Sequence, residues 1–166
     1  MAIIAADILF KLSVAAAACN TTAGTPATSL GDQISTTQIT DATLNNLFDD
    51  VSGDENAASD VEYRCIFLHN NHATLTWQGV VVWLSAEVGG GAVAAIAIDD
   101  LAASAIGAAV AQADVIADEN TAPGAGVGAF SSPTTKATGL SLGNIAAGYC
   151  RAIWVKRSAA NTAAVD

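Results

Sequence analysis

The chain has 166 residues and a formal net charge of −10, from 16 acidic against 6 basic side chains; 52% of its residues are hydrophobic and only 13% are charged. That balance argues against wrapping nucleic acid, which needs clustered Lys and Arg to displace counterions from phosphates. The length suits a single domain, residues 1–166, large enough to bury a real core.

In chain order, Ala6 to Val14 alternates Ile8, Phe10 and Leu12 against Asp7, Lys11 and Ser13, which predicts a half-buried strand. Leu12 to Cys19 superficially looks like a secretory or lipoprotein cleavage region, but residues 1–10 carry no Lys or Arg and Asp7 interrupts the apolar run. No signal peptide is expected. Residues 15–31, rich in Ala, Thr, Asn and Gly, predict a loop or arm, and Asp32 to Thr40 a weak second strand. Leu44, Leu47 and Phe48 share the spacing of one helical turn. Between Asp49 and Glu62 lie Asp49, Asp50, Asp54, Glu55, Asp60 and Glu62; their spacing does not match a calcium-binding EF-hand loop, and a solvated acidic loop is expected.

The strongest β signal is central. Glu62 to Leu68, a turn at His69 to His72, and Ala73 to Leu84 predict two long strands joined as a hairpin. In the first of them Tyr63, Cys65 and Phe67 share one face and Arg64, Ile66 and Leu68 the other, which predicts burial on both sides. Beyond Gly89 to Gly91, read as a hinge or turn, Ala92 to Ile98 predicts a strand ending at Asp99-Asp100. Leu101 to Ala117 reads as β and loop, and Glu119 to Lys136 as a long irregular connection. Leu140 to Arg157 predicts a strand, a Gly-bearing turn and a second strand, with Cys150, Ala152, Trp154 and Lys156 on one face and Tyr149, Arg151, Ile153, Val155 and Arg157 on the other. Residues 158–166 read as a C-terminal arm. The stretch from Val88 to Ala113 is interrupted by glycines and Asp99-Asp100, so no membrane span is expected. The fold class is all-β: an antiparallel β-sandwich, with a jelly roll as one form of it, long Ala/Gly-rich loops and extended terminal arms.

Few residues carry chemistry. The two histidines, His69 and His72, are separated by Asn-Asn with no surrounding Cys or carboxylate pattern, so they predict turn residues and not metal ligands. Cys19, Cys65 and Cys150 read as buried small hydrophobes. No nucleophile with a base and an orienting third group is recognisable, and Gly89 to Gly91 lacks the Lys and Ser/Thr of a phosphate loop. The expectation is no catalytic residue, no cofactor and no metal. Three of the six basic residues, Arg151, Lys156 and Arg157, fall in the last strand, while Asp49, Asp50, Asp54 and Glu55 lie in the acidic stretch. These seven form the candidate interface, as complementary patches between neighbouring copies or with a lattice partner.

Ser29 to Ser35, Leu44 to Glu55, Glu62 to Asn70 and Leu142 to Arg157 resemble stretches of structural proteins from tailed-bacteriophage virions. The resemblance covers about two thirds of the chain and is fold-like rather than site-like. It implies a non-enzymatic particle component, most like a capsid cement or decoration protein on the outer capsid surface. The implied partners are the major capsid protein and further copies of the chain, with no nucleic acid and no membrane. A tail, neck or fibre-base protein is the alternative, and a particle-surface carbohydrate-binding module a third reading, which exposed aromatics near Trp77 or Trp83 would favour.

Overall fold

The computed structural model describes residues 2–15, 19–86 and 92–159. They form an all-β, antiparallel fold: β1 (Ile8–Val14), β2 (Gly31–Gln38), β3 (Val61–Asn70), β4 (Trp77–Val82), β5 (Val93–Ile98), β6 (Ser104–Ala105), β7 (Ala113–Val115), β8 (Leu140–Ile145) and β9 (Tyr149–Ser158), with one short helix, α1 (Gly53–Ala58). Seven strands make one sheet in the order β5-β9-β3-β1-β2-β7, with β6 also on β9, and β4 and β8 make a second sheet. The division is seven and two, not the four and four of a jelly roll.

The long β3–β9 ladder runs from Val61 opposite Ser158 to His69 opposite Cys150. Its alternating side chains feed two cores, as the sequence predicts for both strands. Cys65, Phe67, Cys150, Ala152 and Trp154 enter one, with Ile34 and Ala97. Ile66, Leu68, Ile153 and Val155 enter the other, against Leu142 and Ile145 of β8, with Trp77 and Val80 of β4 beside them. The β4–β8 sheet therefore roofs one face of the large sheet, while the other face curls around its own core.

The curl is closed by a carboxylate. Asp99, directly after β5 and fully buried, accepts hydrogen bonds at Oδ2 from Trp154 Nε1 of β9 (3.0 Å) and from the Asp114 amide of β7 (2.8 Å), and at Oδ1 from the Leu101 amide (3.0 Å). One side chain thus joins the two ends of the sheet. Where β2 meets β7, Gly31 has φ +103°, and a Cβ there would collide with the Asp114 carbonyl; only glycine permits this approach. The irregular 119–136 connection covers the outer edge of β5, exchanging amide–carbonyl bonds between Ile96 and Ser131, so that edge is not left open for pairing.

Four expectations are corrected. The 69–72 turn does not close a hairpin: both edges of β3 are filled, by β1 and β9, and the Asn70 side-chain amide donates to the Leu75 and Ile145 carbonyls, sending the chain into the other layer. Thr43 to Phe48 is not helical, because Ala42 and Asn45 have φ of 55° and 56°, outside the right-handed helical region. The helix lies instead within the acidic stretch, where Ser52 and Glu55 form a reciprocal capping box around α1 that supplies its first amides with acceptors.

The fourth correction concerns β1, whose second half is buried on both faces: Lys11 and Ser13 are enclosed along with Leu12, while Phe10, expected on the buried side, is exposed. Ser13 is stitched in by Ser29, whose Oγ accepts from the Ser13 amide (2.9 Å) and donates to the Cys65 carbonyl (2.6 Å). Of the two alternatives for residues 15–31, a loop or an arm, the described part is a docked loop. Its Asn20 and Thr22 bond to the β2 backbone, and Cys19, Gly24 and Ser29 are buried. At the C-terminus, Ser158 completes β9 and Ala159 is buried; the rest of the arm predicted there, residues 160–166, lies outside the described residues, as do Gly89 to Gly91.

Candidate functional site

The seven candidate interface residues divide. Arg157 is buried, and its guanidinium bonds to Glu62, to the Asp49 carbonyl and to Asp49 Oδ1 (2.9 Å), with Glu55 Oε1 at 3.9 Å. Arg64, also buried, pairs with Glu119 and lies 3.9 Å from Glu62. The Phe48 ring faces both guanidiniums at 5.0 and 5.4 Å, a favourable cation–π geometry. Asp49, Glu55 and Glu62 bring one carboxylate oxygen each within 4.8 Å of one another, an arrangement that could hold a metal ion, but Arg157 reaches all three and supplies the positive charge itself. Burial raises the Glu62 pKa, opposed by the Arg157 hydrogen bond and charge, and the Ser52 hydrogen bonds lower that of Glu55.

Arg151 donates to the carbonyls of Leu142 (3.1 Å) and Asp99 (3.4 Å) and is half-buried, as is Lys156; Asp49, Asp50 and Asp54 are exposed. The structure therefore brings Arg157, Asp49 and Glu55 together inside one chain. Arg157 is buried against these carboxylates, while Asp49 stays exposed beside it.

This changes the surface. Of the basic side chains among the described residues only Lys136 is exposed, whereas Asp41, Asp49, Asp50, Asp54, Asp100 and Asp118 all are. The outward field is thus more one-sidedly negative than the net charge suggests.

Apolar depressions interrupt this surface. Ile8, Phe10, Ile39, Leu47 and Ile66 line an open groove of about 620 Å³ that also includes Asp41 and Asn46 on its wall. Phe10 also lines a smaller depression with Val81, Val82, Trp83 and Ser85, so its ring borders both. Leu44 (88% exposed) and Ile4 (61%) are the most exposed large apolar residues described, and each sits on a segment flanking the groove. Trp83, expected in a core strand, lies just past β4 and is also exposed, while Trp154 is fully buried as expected.

A second cluster is internal. All three cysteines are free and buried, as the sequence predicts. The Gln112 amide sits between two of them, its Oε1 accepting from Cys19 Sγ (3.1 Å) and its Nε2 donating to Cys150 Sγ (3.3 Å). Burial pushes the Cys150 thiol up to about 12 and Cys65 well above its usual value, so both are protonated and unreactive near neutrality. Lys11 donates to Asn20 Oδ1 (2.8 Å), its pKa lowered by burial.

His69 is no turn residue: it lies within β3, next to its last residue, is 1% exposed, and has no hydrogen-bond partner at either ring nitrogen. Burial, with Lys11 nearby, lowers its pKa to about 4. A histidine held neutral by folding stabilises the native state fully above its unfolded value near 6.5 and loses that contribution as the pH falls toward 4. We expect this one group to cost the protein about 3 kcal/mol between pH 7 and pH 4. Urea midpoints of wild type and His69→Gln across that range check it: the wild type should lose stability relative to the variant as the medium is acidified, and parallel curves would contradict the assignment.

No protein-family model, curated protein or solved structure matches the chain.

Proposed function

We propose that this chain is a non-enzymatic structural component of a tailed-phage virion, a cement or decoration protein bound to the outer face of the major capsid protein lattice. The observation that carries this reading is the partition of charge. The arginines bond inside the fold, leaving a two-core body with an anionic surface and an apolar groove beside Phe10. Such a surface steers toward a basic partner and disfavours direct contact with its own copies. Spaced copies on a repeating lattice are the arrangement that this field favours, and many modest contacts then stabilise the shell collectively.

The resemblance supports the reading in a specific way. The four stretches that carry it supply most of β2, β3, β8 and β9 and the Asp49–Glu55 side of the arginine cluster. A tail or neck position uses the same surface with ring symmetry. The carbohydrate-binding reading has one observation in its favour, the exposed ring of Trp83, although the depression beside it is lined by Phe10, Val81 and Val82 and offers a sugar one side-chain hydroxyl, that of Ser85.

The test is co-sedimentation of the purified chain with shells of the particle lacking it. Retention at low ionic strength that weakens severalfold at 0.5 M salt is expected, because exposed charges separated by more than a Debye length are then screened. Failure to sediment at low salt would remove the reading.

A further inference from the structure

We infer that the groove beside Phe10 seats a short apolar segment of a partner protein whose flanks carry Lys or Arg, and not a second copy of this chain. The inference deepens the proposed function and rests on it for the partner's identity, but its geometry stands alone.

The floor is fixed by the fold. Ile8 and Phe10 lie on the part of β1 that pairs with β3, opposite Asn70 and Leu68, the Ile39 amide donates to the Phe10 carbonyl (2.8 Å), and Ile66 is held in the β3–β9 ladder opposite Ile153. The walls are the 3₁₀ turn Ala5–Asp7 and the loop through Asp41 to Leu47. These walls are tied locally: the Asp7 carboxylate accepts from the Ile4 amide (2.9 Å) and the Asp41 carboxylate from the Ala42 amide (2.9 Å). Leu44 and Ile4 project from these segments, and Phe10 presents its ring along the groove. An apolar patch rimmed by polar groups is the usual form of an interaction site, with aromatic rings as its anchors.

Charge selects the occupant. The lining carries Asp41, with Asp7 on the turn beside it, and no basic residue. A second copy would bring the same carboxylates, and its only exposed basic side chain among the described residues is Lys136. A segment with basic flanks satisfies both the apolar floor and the acidic rim.

The experiment uses the whole chain, ¹⁵N-labelled, titrated with a synthetic peptide of alternating Val and Thr bearing two lysines at each end, and with the same peptide bearing glutamates instead. The lysine peptide should shift the amide resonances of β1 near Phe10 and of the 39–47 loop, and should bind at least tenfold more tightly than the glutamate peptide. Leu44→Ser, at a side chain too exposed to matter to the fold, should weaken it severalfold, and Asp41→Lys should reverse the preference between peptides. No shift at the groove, or equal binding of both peptides, would overturn the inference. So would groove shifts that appear on concentrating the protein alone, since these would identify a second copy as the occupant. The particle is absent from this measurement, so peptide binding by a chain that fails to sediment with shells would remove the virion reading and leave the groove's specificity standing.

Discussion

Replacing Asp99 by alanine is expected to lower the stability of the fold by about 4 kcal/mol, read as a fall in the urea midpoint at unchanged pH. The reasoning is an accounting of donors. The Trp154 indole and the Asp114 and Leu101 amides all point at this one buried carboxylate, and removing it leaves each without its acceptor at roughly 1–3 kcal/mol apiece before relaxation. Asp99→Asn separates hydrogen bonding from shape. Its single acceptor oxygen can serve either the Trp154 and Asp114 pair or Leu101, and its amide must oppose the remaining N–H, so an intermediate loss is expected. Equal and small losses in both variants would show that the curl of the large sheet does not depend on this closure.

Arg157→Ala is expected to cost about 3–5 kcal/mol, the range for breaking a buried ion pair by removing one partner. The cost comes from what remains: Glu62, 4% exposed, with Asp49 and Glu55 beside it and only Arg64 to offset them. Because burial already raises the Glu62 pKa, its contribution to stability is present below its unfolded value near 4.5 and is lost as the pH rises through the folded value. Removing Arg157 takes away the opposing influence and deepens that loss. The penalty of Arg157→Ala should therefore be larger at pH 7 than at pH 4, as measured by paired denaturation curves. The double variant Arg157→Met with Glu62→Leu should recover a large part of the loss, since an apolar pair of similar volume leaves no charge buried. A penalty independent of pH, with no recovery in the double variant, would contradict this account of the cluster.

These two clusters also mark where reading the sequence stops. The faces of β3 and β9 were legible because alternation is local: Cys65, Phe67, Cys150, Ala152 and Trp154 fall together in one core and Ile66, Leu68, Ile153 and Val155 in the other. The same alternation held a signal that was passed over. Arg157 shares its face with Ile153 and Val155, which already argued for a buried guanidinium rather than an interface residue. Its partners could not be read, since Glu62 and Asp49 are 95 and 108 positions away.

Asp99 and Asp100 are chemically identical neighbours, and only the topology decides that one is fully buried and the other exposed. The α1 helix was legible from Ser52 and Glu55 alone, a capping pair three apart, but the density of carboxylates around it drew the reading toward a loop. The hairpin was misread for a different reason. Strand propensity identifies strands but not their partners, and both edges of β3 were taken by segments distant in the chain. The groove has no local signature at all, because Ile8 and Phe10, Ile39 and Leu47, and Ile66 come from separate parts of the sequence.

The central claim is that this anionic body attaches to a capsid lattice through its apolar groove. Cryo-electron microscopy of the purified particle, at a resolution that traces side chains, tests both halves together. The account predicts the chain between or upon capsomers over the whole shell, with a segment of the capsid protein lying across Phe10 and basic side chains near Asp7 and Asp41. Absence from the particle, or a chain seated on the shell with that groove open to solvent, would contradict it.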